Sequence, residues 1–151
     1  MTPQVAVGAV VVHDGALLVI ERANEPEAGR WSVPGVTPAP AMRRTGASLW
    51  EAVAREVREE TGVEVAVDRM LGWVERIGKC APGTAEPEYH YVILDFAATP
   101  LDPEPVPVAG DDARQAAWVA LEELASLDLA EGLAEFLAEV GVLSPARPFG
   151  L

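Results

Sequence analysis

The stretch that decides the fold runs from Ser48 to Val63 and reads SLWEAVAREVREETGV. Its apolar residues recur every three or four positions, which predicts one amphipathic helix with an apolar stripe. The stripe consists of Leu49, Trp50, Val53, Ala54 and Val57. Ser48 followed by Glu51 is a capping box that starts the helix, and Gly62 is a stop signal at its end. We therefore expect a helix that packs one face on the core.

The same helix carries three glutamates beside its apolar stripe. At 100° per residue, Glu56, Glu59 and Glu60 fall within an arc of about 100°. Carboxylates at these spacings repel one another, and a divalent cation removes the repulsion because hard cations prefer carboxylate oxygens. From the helix alone, a solvated acidic surface is the more frequent outcome. The surroundings of the helix must decide between the two interpretations.

Predicted strands surround this helix on both sides. Residues 5–12 are apolar at every position of both faces, which predicts a strand buried on both sides, and an Asp-Gly pair links it to a second strand over 16–20. Residues 23–47 form a loop with an extended piece at 31–33. Further strands are predicted over 63–67, 71–77, 89–97 and 116–119, loops over 80–87 and 99–110, and helices over 121–127 and 131–140. This order predicts a single α/β domain over residues 1–151, with a mixed sheet between helices.

Composition excludes several classes of function. The net charge of −13 is unfavourable for a protein that binds nucleic acid polymers. No apolar run is long enough to cross a membrane, and the first residues lack the basic region of a secretory signal. A single cysteine, Cys80, cannot form an internal disulfide. We therefore expect a cytoplasmic protein without membrane contact.

Residues 55–63, REVREETGV, resemble the second half of the Nudix box, GX5EX7REUXEEXGU, at every specified position. Residues 30–35, RWSVPG, resemble the strand and turn that enter that box in many members. The opening hairpin and the segments 110–113 and 118–124 are also similar, so the resemblance covers residues 4–140 in outline. It implies a Nudix-type α/β/α sandwich with a mixed β-sheet between helices.

The first half of the box departs from the pattern. Counting back from Arg55, the first glutamate is replaced by Ala47 and the opening glycine by Ala41. Gly35 lies 12 residues before Ala47, so the loop is longer than the family's pattern allows. This departure predicts reduced catalytic strength and leaves the helix carboxylates untouched.

The resemblance also implies roles for the helix residues. Glu56, Glu59 and Glu60 would bind Mg²⁺, or Mn²⁺, with the carbonyl of Gly35 as a further ligand. Glu56 would activate or orient the attacking water. Arg55 would hold the glutamates in place through charge-assisted hydrogen bonds.

Other polar residues lie close to the box in the sequence. Arg22 and Arg30 are candidates to grip phosphates, since guanidinium groups bind them bidentately. Asp112, after Asp111 in a glycine-led loop, is a candidate for substrate contact or a further ligand, with an ordinary turn as the alternative. Arg43 and Arg44 are interpreted as surface charge.

The expected function is Mg²⁺-dependent hydrolysis of a pyrophosphate bond in a nucleoside diphosphate linked to another group. ADP-ribose or a nucleotide sugar is the first expectation, and nucleoside triphosphates stay open. The alternative is a catalytically weak Nudix-fold module that binds or senses a nucleotide, which Ala47 favours. The sequence does not decide the oligomeric state, and a homodimer stays open.

Overall fold

The computed structural model describes residues 2–36, 48–110 and 112–143. Its strands are β1 (Gln4–His13), β2 (Ala16–Arg22), β3 (Trp31–Ser32), β4 (Gly35–Val36), β5 (Val65–Ile77), β6 (His90–Pro100) and β7 (Ala113–Ala120). Its helices are α1 (Leu49–Thr61), a 3₁₀ helix (Leu121–Ser126) and α2 (Leu133–Glu139).

Strand β1 is the centre of the sheet. It pairs in parallel with β6 along its length and antiparallel with β2 and β4. Strand β6 continues antiparallel to β5, while β2 pairs with both β3 and β7. The predicted mixed sheet is confirmed, and the strand at its centre is the one whose sequence is apolar on both faces.

The predicted hairpin and helix caps are confirmed. Asp14 and Gly15 both adopt positive φ angles, 50° and 74°, as a two-residue turn between right-twisted strands requires. At the start of α1, Ser48 Oγ accepts from the Glu51 amide at 3.2 Å while the Glu51 carboxylate accepts from the Ser48 amide at 3.3 Å. Gly62 ends the helix with a φ of 73°.

Helix α1 covers one face of the sheet. Ala52, Val53 and Val57 pack against the β1 side chains that point to this face. Leu49 and Trp50, which the periodicity assigned to the buried stripe, are 38% and 46% exposed. That part of the prediction is wrong: both side chains are largely exposed, although the ring of Trp50 still contacts the core residue Phe96.

The other face of the sheet is covered by the C-terminal segment. Leu124 of the 3₁₀ helix and Phe136 and Leu137 of α2 pack against β1 and β2. The sheet is therefore enclosed by helical segments on both faces, as the α/β/α sandwich requires. None of the helices in the described residues is long and apolar enough to cross a bilayer.

Several element boundaries differ from the prediction. The two strands predicted over 63–67 and 71–77 are one strand, β5, which continues through two register shifts against β6. Residues 121–127 were predicted as an ordinary helix, but the structure has a 3₁₀ helix there. The predicted four-residue strand over 116–119 is the eight-residue β7.

Candidate active site

The C-terminal half of α1 holds Glu60 against the start of β4. Its side chain is almost fully buried, and Glu60 Oε1 accepts a hydrogen bond from the Gly35 amide at 2.8 Å. The backbone carbonyl of Glu60 accepts from the Gly110 amide at 2.9 Å. A side chain at Gly110 would collide with the carbonyl of Glu59, so only glycine allows this approach. The two glycines thus draw two distant loops onto the end of the helix.

Two carboxyl groups on α1, those of Glu56 and Glu60, have pKa values above that of a free glutamate. The pKa of Glu60 is raised to about 8, mainly by burial; the Gly35 amide and Arg22 oppose the rise, and the charges of Glu56 and Asp112 contribute to it. Burial also raises the pKa of Glu56 to about 7, with Glu59 adding to the rise. Each group is therefore short of positive charge, which is the environment that a cation would stabilise.

Glu56 and Glu60 open into a small polar cleft of about 100 Å³. The cleft is lined by Ile20, Arg22, Asn24, Glu25, Gly35, Glu56, Glu60 and Asp112. Asp112 Oδ1 accepts a hydrogen bond from Asn24 Nδ2 at 2.8 Å, which ties the loop before β7 to the loop after β2. The cleft therefore gathers four carboxylates, including that of Glu25, and one arginine from three separate segments of the chain.

The donors in this cleft fit a hard divalent cation by their chemistry, since oxygen atoms predominate and the two glutamates carry raised pKa values. Within the part of the chain that the structure describes, however, no three side chains of His, Cys, Asp or Glu are already arranged to hold an ion. The contact that the structure gives to Gly35 is through its amide and not its carbonyl. The individual metal ligands therefore stay predictions.

The remaining predicted residues are divided between this cleft and other places. Glu59 is exposed and lies beside Arg55, with Arg55 Nε 3.9 Å from Glu59 Oε1. Arg22 lines the cleft, but Arg30 does not. Arg30 pairs with Glu27 at 3.0 Å and lies 3.6 Å from Asp128, so its charge is engaged elsewhere. The predictions for Arg43, Arg44, Ala47 and Asp111 fall outside the described residues.

A larger cavity of about 200 Å³ adjoins the polar cleft. Ile20, Arg22 and Gly35 line both, so the cleft and the larger cavity lie next to each other. The apolar side chains of the larger cavity include Val7, Val33, Pro34, Val74, Ile93 and Phe136. This arrangement suits a ligand with a charged end in the cleft and a less polar group in the cavity.

Sequence reasoning missed the most unusual residue of the larger cavity. Asp95, on β6, is 4% exposed, and its Oδ1 has no hydrogen-bond partner among the described residues. Burial raises its pKa to about 7. A lone acid inside the apolar run Tyr91–Ala98 was the available signal, but alternation along a strand assigns such a residue to solvent.

Comparisons with known proteins agree with this architecture. Residues 2–140 match the NUDIX domain family. An ADP-ribose pyrophosphatase of Methanocaldococcus jannaschii is 31% identical over 125 residues, which span 83% of this chain and 66% of that protein. Nucleoside triphosphatase NudI of an Enterobacter species is 27% identical over 150 residues, spanning 95% of this chain and 100% of NudI.

A solved structure gives the same result. The crystal structure of a MutT NUDIX hydrolase from Burkholderia pseudomallei is similar with a TM-score of 0.68 and 31% identity, covering 93% of this chain and 99% of that one. The family match runs through the residues that form the sheet, helix α1 and the polar cleft. From the match over residues 2–140 and the shared fold, we conclude that the chain belongs to the Nudix family.

Proposed function

We propose that the chain hydrolyses a pyrophosphate bond in a nucleoside diphosphate linked to another group, with Mg²⁺ or Mn²⁺ as cofactor. The observation that carries the proposal is the polar cleft, in which Glu56, Glu60 and Asp112 converge next to an apolar cavity. ADP-ribose is the first candidate substrate, because the relative from M. jannaschii is named for it. Nucleoside triphosphates are second, on the name of NudI.

Glu56 and Glu60 would hold the divalent ion, with Glu59 as a third ligand after a change of side-chain conformation. Bound there, the ion would neutralise charge on the pyrophosphate and activate water as a Lewis acid. Nudix hydrolases generally use divalent ions, which agrees with the raised pKa values of these carboxyls.

Two further residues would act on the substrate directly. Glu56, which lines the cleft, would activate or orient the attacking water. Arg22 lies on the border between cleft and cavity, and its Nε is held by the carbonyl of Pro26 at 2.8 Å. A guanidinium fixed at this point is suited to a phosphate oxygen.

A second candidate is a module that binds the nucleotide without turning it over. One observation favours it: no three ligand side chains are arranged for an ion within the described residues. Ala47, in place of the box's first glutamate, points the same way.

The test is a product-release screen with ADP-ribose, nucleotide sugars and nucleoside triphosphates, with Mg²⁺ and with EDTA. The proposal expects hydrolysis of at least one diphosphate derivative with Mg²⁺ and none in EDTA. Undiminished hydrolysis in EDTA would refute the metal-dependent mechanism. Binding of the same compounds without hydrolysis in either condition would establish the second candidate instead.

A further inference from the structure

The larger cavity contains a buried acid that the proposed hydrolysis does not use. We propose that Asp95 selects the substrate's nucleobase by accepting a hydrogen bond from an exocyclic amino group on that base. The inference rests on the proposed function for the identity of the ligand as a nucleotide. It adds the chemical class of the base, which neither the cleft nor the family match provides.

The fold makes room for the Asp95 carboxyl inside the cavity. Asp95 stands opposite Gly8 in the parallel pairing of β6 with β1. A side chain at position 8 would collide with Asp95 Oδ1, so glycine is needed there to leave room for this oxygen. Both residues line the cavity wall. The carboxyl is therefore placed at the cavity by two neighbouring strands of the sheet centre.

No positive charge compensates this carboxyl. Burial is the only cause of its raised pKa, although Arg22 and Arg76 line the same cavity. Arg76 is engaged by two other acids, with its Nη2 3.1 Å from Glu27 Oε2 and 3.5 Å from Glu131 Oε2. A buried acceptor without a partner is unfavourable, so a ligand that brings an N–H donor gains the interaction that the chain does not supply.

The shape and lining of the cavity favour a base over a sugar at this point. Its volume of about 200 Å³ exceeds the ~150 Å³ cavity that accommodates benzene, and its walls are mostly aliphatic and aromatic. A flat ring with donors on one edge can meet both the walls and the carboxyl. A sugar would bury hydroxyl groups on several sides against apolar walls. A base that turns a carbonyl to the same carboxylate would be repelled.

Binding of nucleoside monophosphates separates this inference from hydrolysis, because they contain no pyrophosphate bond. Isothermal calorimetry on the full chain, at a pH above the pKa of Asp95 so that its carboxyl is ionised, would compare AMP with IMP, GMP with IMP and CMP with UMP, pairs in which only the first member carries an exocyclic amino group. We expect the amino-bearing member to bind roughly 10- to 100-fold more tightly in at least one pair. In Asp95→Leu that ratio should fall to about one, since leucine accepts no hydrogen bond.

Asp95→Asn is the second variant, because its amide oxygen still accepts an N–H and should retain part of the ratio. A purely structural Asp95 would leave the ratio unchanged in both variants. Asp68→Asn is the matched control: Asp68 is exposed on β5, accepts from Thr99 Oγ1 at 2.7 Å and lies outside both cavities. The ratio is measured on one variant at a time, so it does not depend on the folded fraction.

Three results would overturn the inference: equal affinities within all three pairs for the parent chain, an unchanged ratio in Asp95→Leu, or no binding of any of the five nucleotides. A ratio that behaves as expected in a chain that hydrolyses nothing would leave the inference intact. In that case only the proposed function would be wrong.

Discussion

Glu60 and Asp95 are equally buried, each 4% exposed, but their surroundings differ in kind. Glu60 shares its cleft with other carboxylates, one arginine and the Gly35 amide. Asp95 lies in a mostly apolar cavity, and its Oδ1 has no partner among the described residues. The pKa of each is raised, to about 8 and about 7, but several charges act on Glu60 and only burial acts on Asp95.

The difference indicates which ligand would stabilise each group. A crowd of carboxylates is relieved by a cation, which lowers the energy of several charges at once. A single carboxyl in an apolar cavity needs only one donor, and a neutral N–H group supplies it without bringing a second charge into the cavity. The two acids thus mark two neighbouring places: the polar cleft, which suits a cation and the charged phosphates, and the larger cavity, which suits a selected base.

The largest expected effect is on hydrolysis and concerns Glu60 in the polar cleft. Glu60→Gln should lower kcat/KM by at least about 100-fold, because glutamine keeps an oxygen for the Gly35 amide but loses the charge that would hold the ion. Steady-state kinetics with the best substrate and Mg²⁺ would measure it. Asp68→Asn, which removes a charge far from the cleft, should stay within a few-fold of the parent.

A thermal-unfolding measurement guards this prediction against a general loss of structure. Glu60→Gln should unfold at least as late as the parent without Mg²⁺, since it removes a buried acid with a raised pKa. Added Mg²⁺ should stabilise the parent and not the variant. Hydrolysis by Glu60→Gln at nearly the parent rate would show that the charge of Glu60 does not hold the ion. The contrast between Glu60 and Asp95 would then fail.

The second expected effect is on stability and concerns Asp95 in the larger cavity. Folded Asp95 keeps its proton up to a pKa of about 7, whereas its ordinary value is 3.8, so its contribution to stability is lost as pH rises between these values. Asp95→Asn does not titrate. The free energy of unfolding of Asp95→Asn should therefore exceed that of the parent by the smallest amount near pH 4 and by the largest amount above pH 7.

Three pKa units set a ceiling of ~4 kcal/mol, and we expect roughly 1–3 kcal/mol because the cavity connects with solvent. Urea unfolding of parent and variant at several pH values would measure the difference, from which the titrations of Glu56 and Glu60 cancel. A difference that does not change with pH would mean that Asp95 is ionised in the folded chain with an ordinary pKa. The contrast with Glu60 would then be lost.

The polar cleft was largely predictable from sequence, because its signals are local. The caps of α1 and the spacing of Glu56 and Glu60 lie within one helix, whose geometry follows from its period. Trp50 was assigned wrongly, since a helical wheel places a side chain on one face of the helix but does not show how its ring packs. The ring of Trp50 instead meets Phe96 edge-on, with centroids 5.0 Å apart.

The larger cavity could not be predicted, because its features depend on residues distant in sequence. Asp95 lies on a face of the sheet that α2, with Phe136, helps to cover. Strand β5 appeared as two strands because Asp68 and Arg69 interrupt its apolar pattern, whereas pairing with β6 carries the chain through this stretch with two register shifts. Arg30 lies close to the box in sequence, but its acidic partners Glu27 and Asp128 hold it elsewhere.

The smallest expected effect comes from the N-terminus of α1, which supports Glu60 without touching either cavity. Ser48→Ala removes the oxygen that accepts from the Glu51 amide at 3.2 Å, and losing such a cap costs about 1 kcal/mol of stability. Urea unfolding should show that loss, while the ratio of GMP to IMP affinity stays at the parent value. Since Glu60 is also held by Gly35 and Gly110 at the other end of the helix, kcat/KM should change by less than about threefold. A much larger loss of activity at the same small cost in stability would mean that fraying at Ser48 reaches Glu60. The geometry of the polar cleft would then depend on the segment that precedes α1, and not only on the contacts around the last turn of α1.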